Sequence, residues 1–189
     1  MLVFFHPRPG GGTRAVLHRD DGVTLEMHSY DRKWRVPHDL AHAVAERELG
    51  LSGGVFGCIA GGALFASVRV IDGRARYDAA EHGRRVIACH EREIAIAEML
   101  SGAVHGAVEQ GRAGAFSAAR AGWESVREDP FPYTEMDIQR ATSTLTRLAD
   151  AFAHLPRGTG LRFEWPRRLT AAAAPKGRSQ GRPGRRRAR

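Results

Sequence analysis

Cysteine and lysine are scarce in this chain of 189 amino acids. Its two cysteines, Cys58 and Cys89, cannot form a disulfide framework, and both stand among apolar residues, so we expect buried thiols in a cytoplasmic protein. Only Lys33 and Lys176 are lysines, so arginine carries nearly all the positive charge. The glycines and prolines follow no fixed period, which excludes collagen-like and repeat architectures.

Long apolar runs are missing as well. The longest uncharged stretch, residues 49–68, includes six glycines, and three of them (Gly53, Gly57 and Gly61) are spaced one helical turn apart. Such spacing allows a helix to pack closely in lipid or in a protein core. The modest aliphatic content favours a buried helix over much of 54–66. Residues 1–5 are too few for the apolar region of a signal peptide, so we expect no membrane association.

Acidic residues are absent from residues 167–189. This segment carries nine positive charges, more than the net charge of +8 of the whole chain, so residues 1–166 have a net charge of −1. Its small, polar and basic composition cannot bury apolar surface, which predicts one globular domain over 1–166 followed by a disordered tail. The tail is suited to nonspecific contact with nucleic acid, but the domain contains no nucleic-acid-binding motif.

Alternating apolar residues predict a β-hairpin over residues 15–29. A three-residue loop places Leu17 opposite Leu25, which puts the apolar residues of both strands on one face, whereas a two-residue loop does not. Gly22 then takes the left-handed conformation in the turn.

Three further segments show strand patterns. Residues 68–77 favour a second hairpin that turns at Asp72-Gly73, residues 161–165 form a late strand, and residues 2–5 can add another. We expect the late strand to pair with the N-terminal hairpin and to close a small antiparallel sheet.

The remaining chain has helical periodicity. The predicted helices run from about Pro37 to Gly50, over much of 54–66, over 84–110 with a candidate interruption at Ser101-Gly102, over 113–127, and onward from Thr134, whose hydroxyl can cap the last one. In that last helix apolar residues recur every three or four positions through 138–155. The sequence therefore predicts an α+β domain in which the small sheet packs with four to five helices.

The start of the first helix concentrates groups that can bind a metal. His38 and His42 are one turn apart, and Glu46 follows one turn later, at about 0°, 40° and 80° around the helix. This places them beside the apolar stripe, with partial burial. Two imidazoles and a carboxylate can bind zinc together. The alternative interpretation is an ordinary helix edge, where Glu46 is simply the i+4 partner of His42.

The segment His-Asp-x-x-His resembles the His-Glu-x-x-His motif of zinc metallopeptidases. The resemblance covers five residues and places Asp39 in the position of the general base, although aspartate is one methylene shorter than glutamate. In the next long helix, His90 and Glu93 share a face and could supply further ligands. The neighbouring Cys89 has no activating base, so we expect an inert thiol.

Three functions remain open at this level. The absence of phosphate-loop, dinucleotide-binding and catalytic-triad motifs favours a non-catalytic protein that binds a partner or associates with itself. The second possibility is a metal-binding protein or metal-dependent hydrolase that uses the histidine-rich helix. The third is nucleic-acid contact through the basic tail.

Overall fold

An antiparallel sheet of five strands forms the centre of the fold. The computed structural model describes residues 1–29, 34–111 and 113–173. Within these residues the strands are β1 (Leu2–Pro7), β2 (Thr13–His18), β3 (Thr24–Ser29), β4 (Val68–Asp72) and β5 (Leu161–Glu164). Their order across the sheet is β4-β3-β2-β1-β5. The α+β class expected from the sequence is confirmed.

The predicted hairpin is present with the predicted register. Leu17 lies opposite Leu25, and Ala15 lies opposite Met27. Gly22 has a φ angle of 81°, in the left-handed region that favours glycine. The inward residues of the hairpin are fully or almost fully buried. The apolar pattern determines the register because a shift by one residue would turn these side chains to solvent.

The prediction of a second hairpin over residues 68–77 is wrong. Only its first half is a strand: β4 pairs with β3, while residues 74–77 form no strand and Tyr77 is exposed. The late strand β5 does form, but it pairs with β1 rather than with the hairpin of β2 and β3. The sequence pattern identified the strands β4 and β5 but not their partners. Pairing between segments so far apart in the chain leaves no local signal in the sequence.

Six helices occur among the described residues. They are α1 (His38–Glu48), α2 (Val55–Ala60), α3 (Ala79–Cys89), α4 (Glu91–Gln110), α5 (Ala115–Val126) and α6 (Glu135–Ala153). α2 is shorter than predicted, and the long helical region breaks at His90 instead of at Ser101-Gly102. The cap of α6 is confirmed: Thr134 accepts a hydrogen bond from the Asp137 amide, and the Asp137 carboxylate accepts one from Thr134.

α1 lies in the middle of the molecule. Leu40 and Val44 belong to the same buried cluster as the inward-facing strand residues. On its other sides α1 packs against α4 and α6. Every residue from Leu40 to Glu46 is consequently buried. A helix covered on several sides places its polar residues inside the protein, which is the basis of the candidate site described below.

Packed structure continues beyond the predicted domain boundary at residue 166. Residues Arg167–Leu169 form a 3-10 helix, and both Leu169 and Ala171 are buried. The predicted tail therefore begins with an ordered segment, because a leucine and a run of small residues fit against α2. The rest of the predicted tail, 174–189, lies outside the described residues, and its contact with nucleic acid stays a prediction.

No helix in the described part of the chain combines the length and the apolar character needed to cross a bilayer.

Cys58 is buried as expected, but Cys89 is exposed, because the chain leaves α3 at this residue. The apolar neighbours of Cys89 in the sequence point to other sides of the helix.

The outer face of the sheet carries a buried carboxylate among cationic groups. Glu26 is 3% exposed and forms ion pairs with Arg14 and Arg69, and its Oε2 lies 2.9 Å from His28 Nε2. Burial opposes its charge, but these partners outweigh burial and lower its pKa to about 2. Through these contacts Glu26 connects β3 to β2 and β4 on the side of the sheet that faces away from the core.

We expect Glu26→Gln to destabilise the protein by about 1–2 kcal/mol at pH 7. The folded pKa lies below the ordinary value of 4.5, so the contribution of the carboxylate is complete above about pH 4.5 and is lost as the pH falls toward 2. Urea unfolding of both proteins at several pH values measures this. If the difference in free energy of unfolding between the wild type and Glu26→Gln stays constant down to pH 3, the lowered pKa of Glu26 would be contradicted.

Candidate metal centre

Glu46 is the most deeply buried ionisable group near the histidine-rich helix. Its side chain is fully buried, and both oxygens accept hydrogen bonds from the first residues of α2. The Val55 amide donates to Oε1 at 3.0 Å, and the Phe56 amide donates to Oε2 at 2.9 Å. Gly54 makes room for the carboxylate, since a Cβ there would lie 2.4 Å from Oε2. Glu46 thus joins α1 to the start of α2.

His42 lies between two carboxylates. Its Nδ1–H donates to Glu46 Oε1 at 3.2 Å, and its Nε2 lies 3.1 Å from Oε2 of Glu98 on α4. Burial disfavours a charge on His42, but the two carboxylates outweigh burial and raise its pKa to about 9. Nε2 is buried, yet it makes no hydrogen bond to a described residue. It is therefore a buried nitrogen in a negative environment without an aligned acceptor.

His38 completes a group of three potential metal ligands. One donor atom from each of His38, His42 and Glu98 can be chosen so that all three lie within 4.8 Å of one another. Donors around tetrahedral zinc lie about 3.4 Å apart, a spacing within this limit, and His42 Nε2 and Glu98 Oε2 already lie 3.1 Å apart. The side chains of His38 and Glu98 are 42% and 54% exposed and have freedom to rotate, while His42 is buried. The group opens to solvent on one side.

A network on α4 fixes the start of α1 beside this group. The Glu109 carboxylate accepts hydrogen bonds from the amides of Arg35 and Val36, at 2.9 and 2.8 Å. His105 donates to the Val36 carbonyl at 2.9 Å, and its ring meets the His38 ring edge-on at 5.9 Å between centroids. The first turn of α1, which contains His38, is therefore anchored to the same helix that carries Glu98.

Asp39 lies behind His38. Its Oδ1 is 3.9 Å from His38 Nδ1, which is a charge contact beyond hydrogen-bonding distance. Its Oδ2 is buried and accepts no hydrogen bond from the part of the chain that the structure describes. Each histidine thus has a carboxylate on the side of its Nδ1, Glu46 at 3.2 Å for His42 and Asp39 at 3.9 Å for His38. In metal sites such carboxylates fix the orientation of the ring and its tautomer.

The residues predicted from the sequence divide into two groups. His38 and His42 converge as expected, whereas Glu46 uses its oxygens for backbone amides and His42 and stands behind the group. His90 and Glu93 lie elsewhere, beside Gly53, and His90 donates to the Ala172 carbonyl at 3.0 Å. Neither belongs to the converging group found among the described residues.

Glu98 is the ligand candidate that the sequence analysis missed. A signal for it exists, since Glu98, Ser101 and His105 are spaced by three and four residues on one side of α4. Polar residues at this spacing beside the buried Leu100 and Val104 mark a helix face that meets another polar surface. The sequence alone does not reveal that this surface is α1, because the two helices are far apart in the chain.

Comparison with protein-family models, with curated proteins and with solved structures found no match to this chain.

We expect Glu46→Ala to destabilise the protein by about 3–5 kcal/mol, because it removes the acceptor of three buried donors and one partner of a buried ion pair. Glu48→Ala is the matched control on the same helix. Glu48 pairs with its neighbour Arg47, and its loss should cost less than about 1 kcal/mol. Denaturant unfolding compares the two variants, and equal losses would show that Glu46 does not join α1 to α2 as described.

Proposed function

We propose that this protein binds a divalent transition metal ion through His38, His42 and Glu98, and that this ion is zinc. The observation that carries the proposal is the buried Nε2 of His42. It lies 3.1 Å from Glu98 Oε2 without an aligned hydrogen bond to any described residue, and His38 and Glu98 converge on it. A buried polar atom without an aligned hydrogen-bond partner is costly, and a metal ion between these side chains would coordinate it.

The donor chemistry supports a transition metal. Two imidazoles and a carboxylate are ligands that zinc accepts, whereas calcium and magnesium prefer oxygen donors alone. Without metal, His42 holds a proton between two carboxylates, and a metal ion would replace the Nε2 proton. The same carboxylates that favour the proton also attract a cation. The metal would link α1 to α4 and so stabilise the folded chain.

Three protein ligands leave a coordination position for water on the exposed side, as in catalytic zinc sites. A hydrolase also needs a base near that water. Asp39, the base in the peptidase resemblance, lies beside His38 Nδ1, which favours a role in orienting that ring. Metal binding is therefore proposed without a hydrolytic reaction.

Isothermal titration with Zn²⁺, using full-length chain purified without a histidine tag or chelator, tests the site. We expect one metal ion per chain and a rise in melting temperature. Glu98→Ala should weaken binding by about 100-fold or more, since even loss of a residue behind a ligand costs 10–100-fold. Because Glu98 is half-exposed, its replacement leaves the core intact.

The control is His154→Ala, which removes an exposed histidine at the end of α6, outside the converging group and away from α2. It should leave the zinc affinity unchanged. Equal weakening in both variants, or equal binding in wild type and Glu98→Ala, would show that zinc binds elsewhere. No binding by the wild-type chain would leave the alternative in which His42 serves as a buried ion-pair partner of two carboxylates.

A protein partner is a second candidate, and the edge strand β4 favours it. β4 ends the sheet, and Val70 and Ile71 are 39% and 43% exposed. An edge strand with exposed apolar side chains is a surface on which another strand can pair. We propose a second copy of this chain as that partner.

Since the chain holds only two cysteines, a cytoplasmic location remains part of the proposal.

Light scattering on size-separated protein tests self-association. We expect the wild type to have twice the mass of the 20.7 kDa chain and Ile71→Lys to be monomeric, because a charge on the edge strand opposes pairing. Val126→Lys, which places the same charge at an exposed apolar position on α5, should remain dimeric. A monomeric wild type would contradict self-association.

A further inference from the structure

The ordered segment after β5 packs on α2 through its backbone. We call residues 169–173 the C-terminal arm. The Ala171 amide donates to the Gly57 carbonyl at 3.0 Å, and His90 Nε2 donates to the Ala172 carbonyl at 3.0 Å. The side chains of Leu169 and Ala171 are buried. The arm therefore contacts both α2 and the residue that separates α3 from α4.

Two glycines leave space for this arm: Gly57 within α2 and Gly61 at its C-terminal end. A Cβ on Gly61 would lie 2.3 Å from the Ala171 oxygen, and a Cβ on Gly57 would lie 2.9 Å from the Leu169 oxygen. Gly61 has a φ angle of −76°, which any residue adopts. Glycine is needed here because the backbone of the arm comes so close, and its conformational freedom is not used.

α2 depends on contacts at both of its ends. A helix of six residues is not stable alone, and α2 has no side-chain cap of its own. Glu46 holds its first amides, as described above. At the other end, His82 donates to the Gly61 carbonyl at 2.8 Å, and the arm lies against Gly57 and Gly61. One short helix thus connects the arm to the carboxylate behind His42.

We propose that docking of the C-terminal arm on α2 regulates the metal affinity of the site formed by His38, His42 and Glu98. The inference rests on the proposed metal-binding function. A docked arm fixes α2, the amides of α2 fix Glu46, and Glu46 orients the His42 ring with Nε2 toward the metal. Coupling between two binding events is reciprocal, so metal binding also strengthens docking of the arm by the same factor.

The test uses Gly61→Ala in the full-length chain, because the three atoms nearest to the added methyl group all belong to Ala171 of the arm. We expect hydrogen exchange of the Ala171 amide to become faster and Zn²⁺ affinity, measured by titration calorimetry, to fall about 10-fold, at the lower end of the effect of residues behind metal ligands. Gly106→Ala is the matched control, since a Cβ at Gly106 meets open space. It should leave both quantities unchanged.

The reciprocal measurement needs no variant. In the wild type, Zn²⁺ should slow exchange of the Ala171 amide as well as of the Phe56 amide that donates to Glu46. Faster exchange at Ala171 in Gly61→Ala with unchanged Zn²⁺ affinity would overturn the coupling and leave the metal site intact. Unchanged exchange in both Gly61→Ala and Gly61→Val would overturn the docking itself. Failure of the wild type to bind Zn²⁺ would remove the proposed function and this inference with it.

Discussion

The buried carboxylate of Glu46 is the interaction on which the centre of this molecule depends. Removing a carboxylate from water costs several kcal/mol, and the cost is offset only when the charge is paired and its oxygens accept hydrogen bonds. Here two amides of α2 and one imidazole of α1 reduce this cost, while burial remains the larger effect and raises the pKa of Glu46. The requirement places α1, α2 and His42 in one fixed arrangement, and Gly54 leaves the space for it.

The candidate metal centre follows from this arrangement. Because Glu46 holds Nδ1 of His42, the ring presents Nε2 toward α4, where Glu98 lies. The two carboxylates raise the pKa of His42 to about 9, and in the proposed function the same negative charge attracts a divalent cation. A single buried acid therefore has two consequences, one for how the helices are joined and one for what the surface beside them can bind.

The sequence predicted features that depend on neighbouring residues. It predicted the register of the β2–β3 hairpin from its apolar pattern, the cap at Thr134 and the pairing of His38 with His42, because each is determined within a few residues. It failed where distant segments meet. The partner of β5, the end of the predicted hairpin at residues 74–77 and the role of Glu98 all depend on contacts between elements far apart in the chain.

The pairing of β1 with β5 has a consequence for synthesis of the chain. β1 precedes β2 and β3 closely in the chain, so these three strands are synthesised long before β5. The other edge of β1 has no strand to pair with until Leu161–Glu164 has left the ribosome. Throughout translation, this edge is open to other chains, and the late arrival of β5 both completes the sheet and ends that exposure.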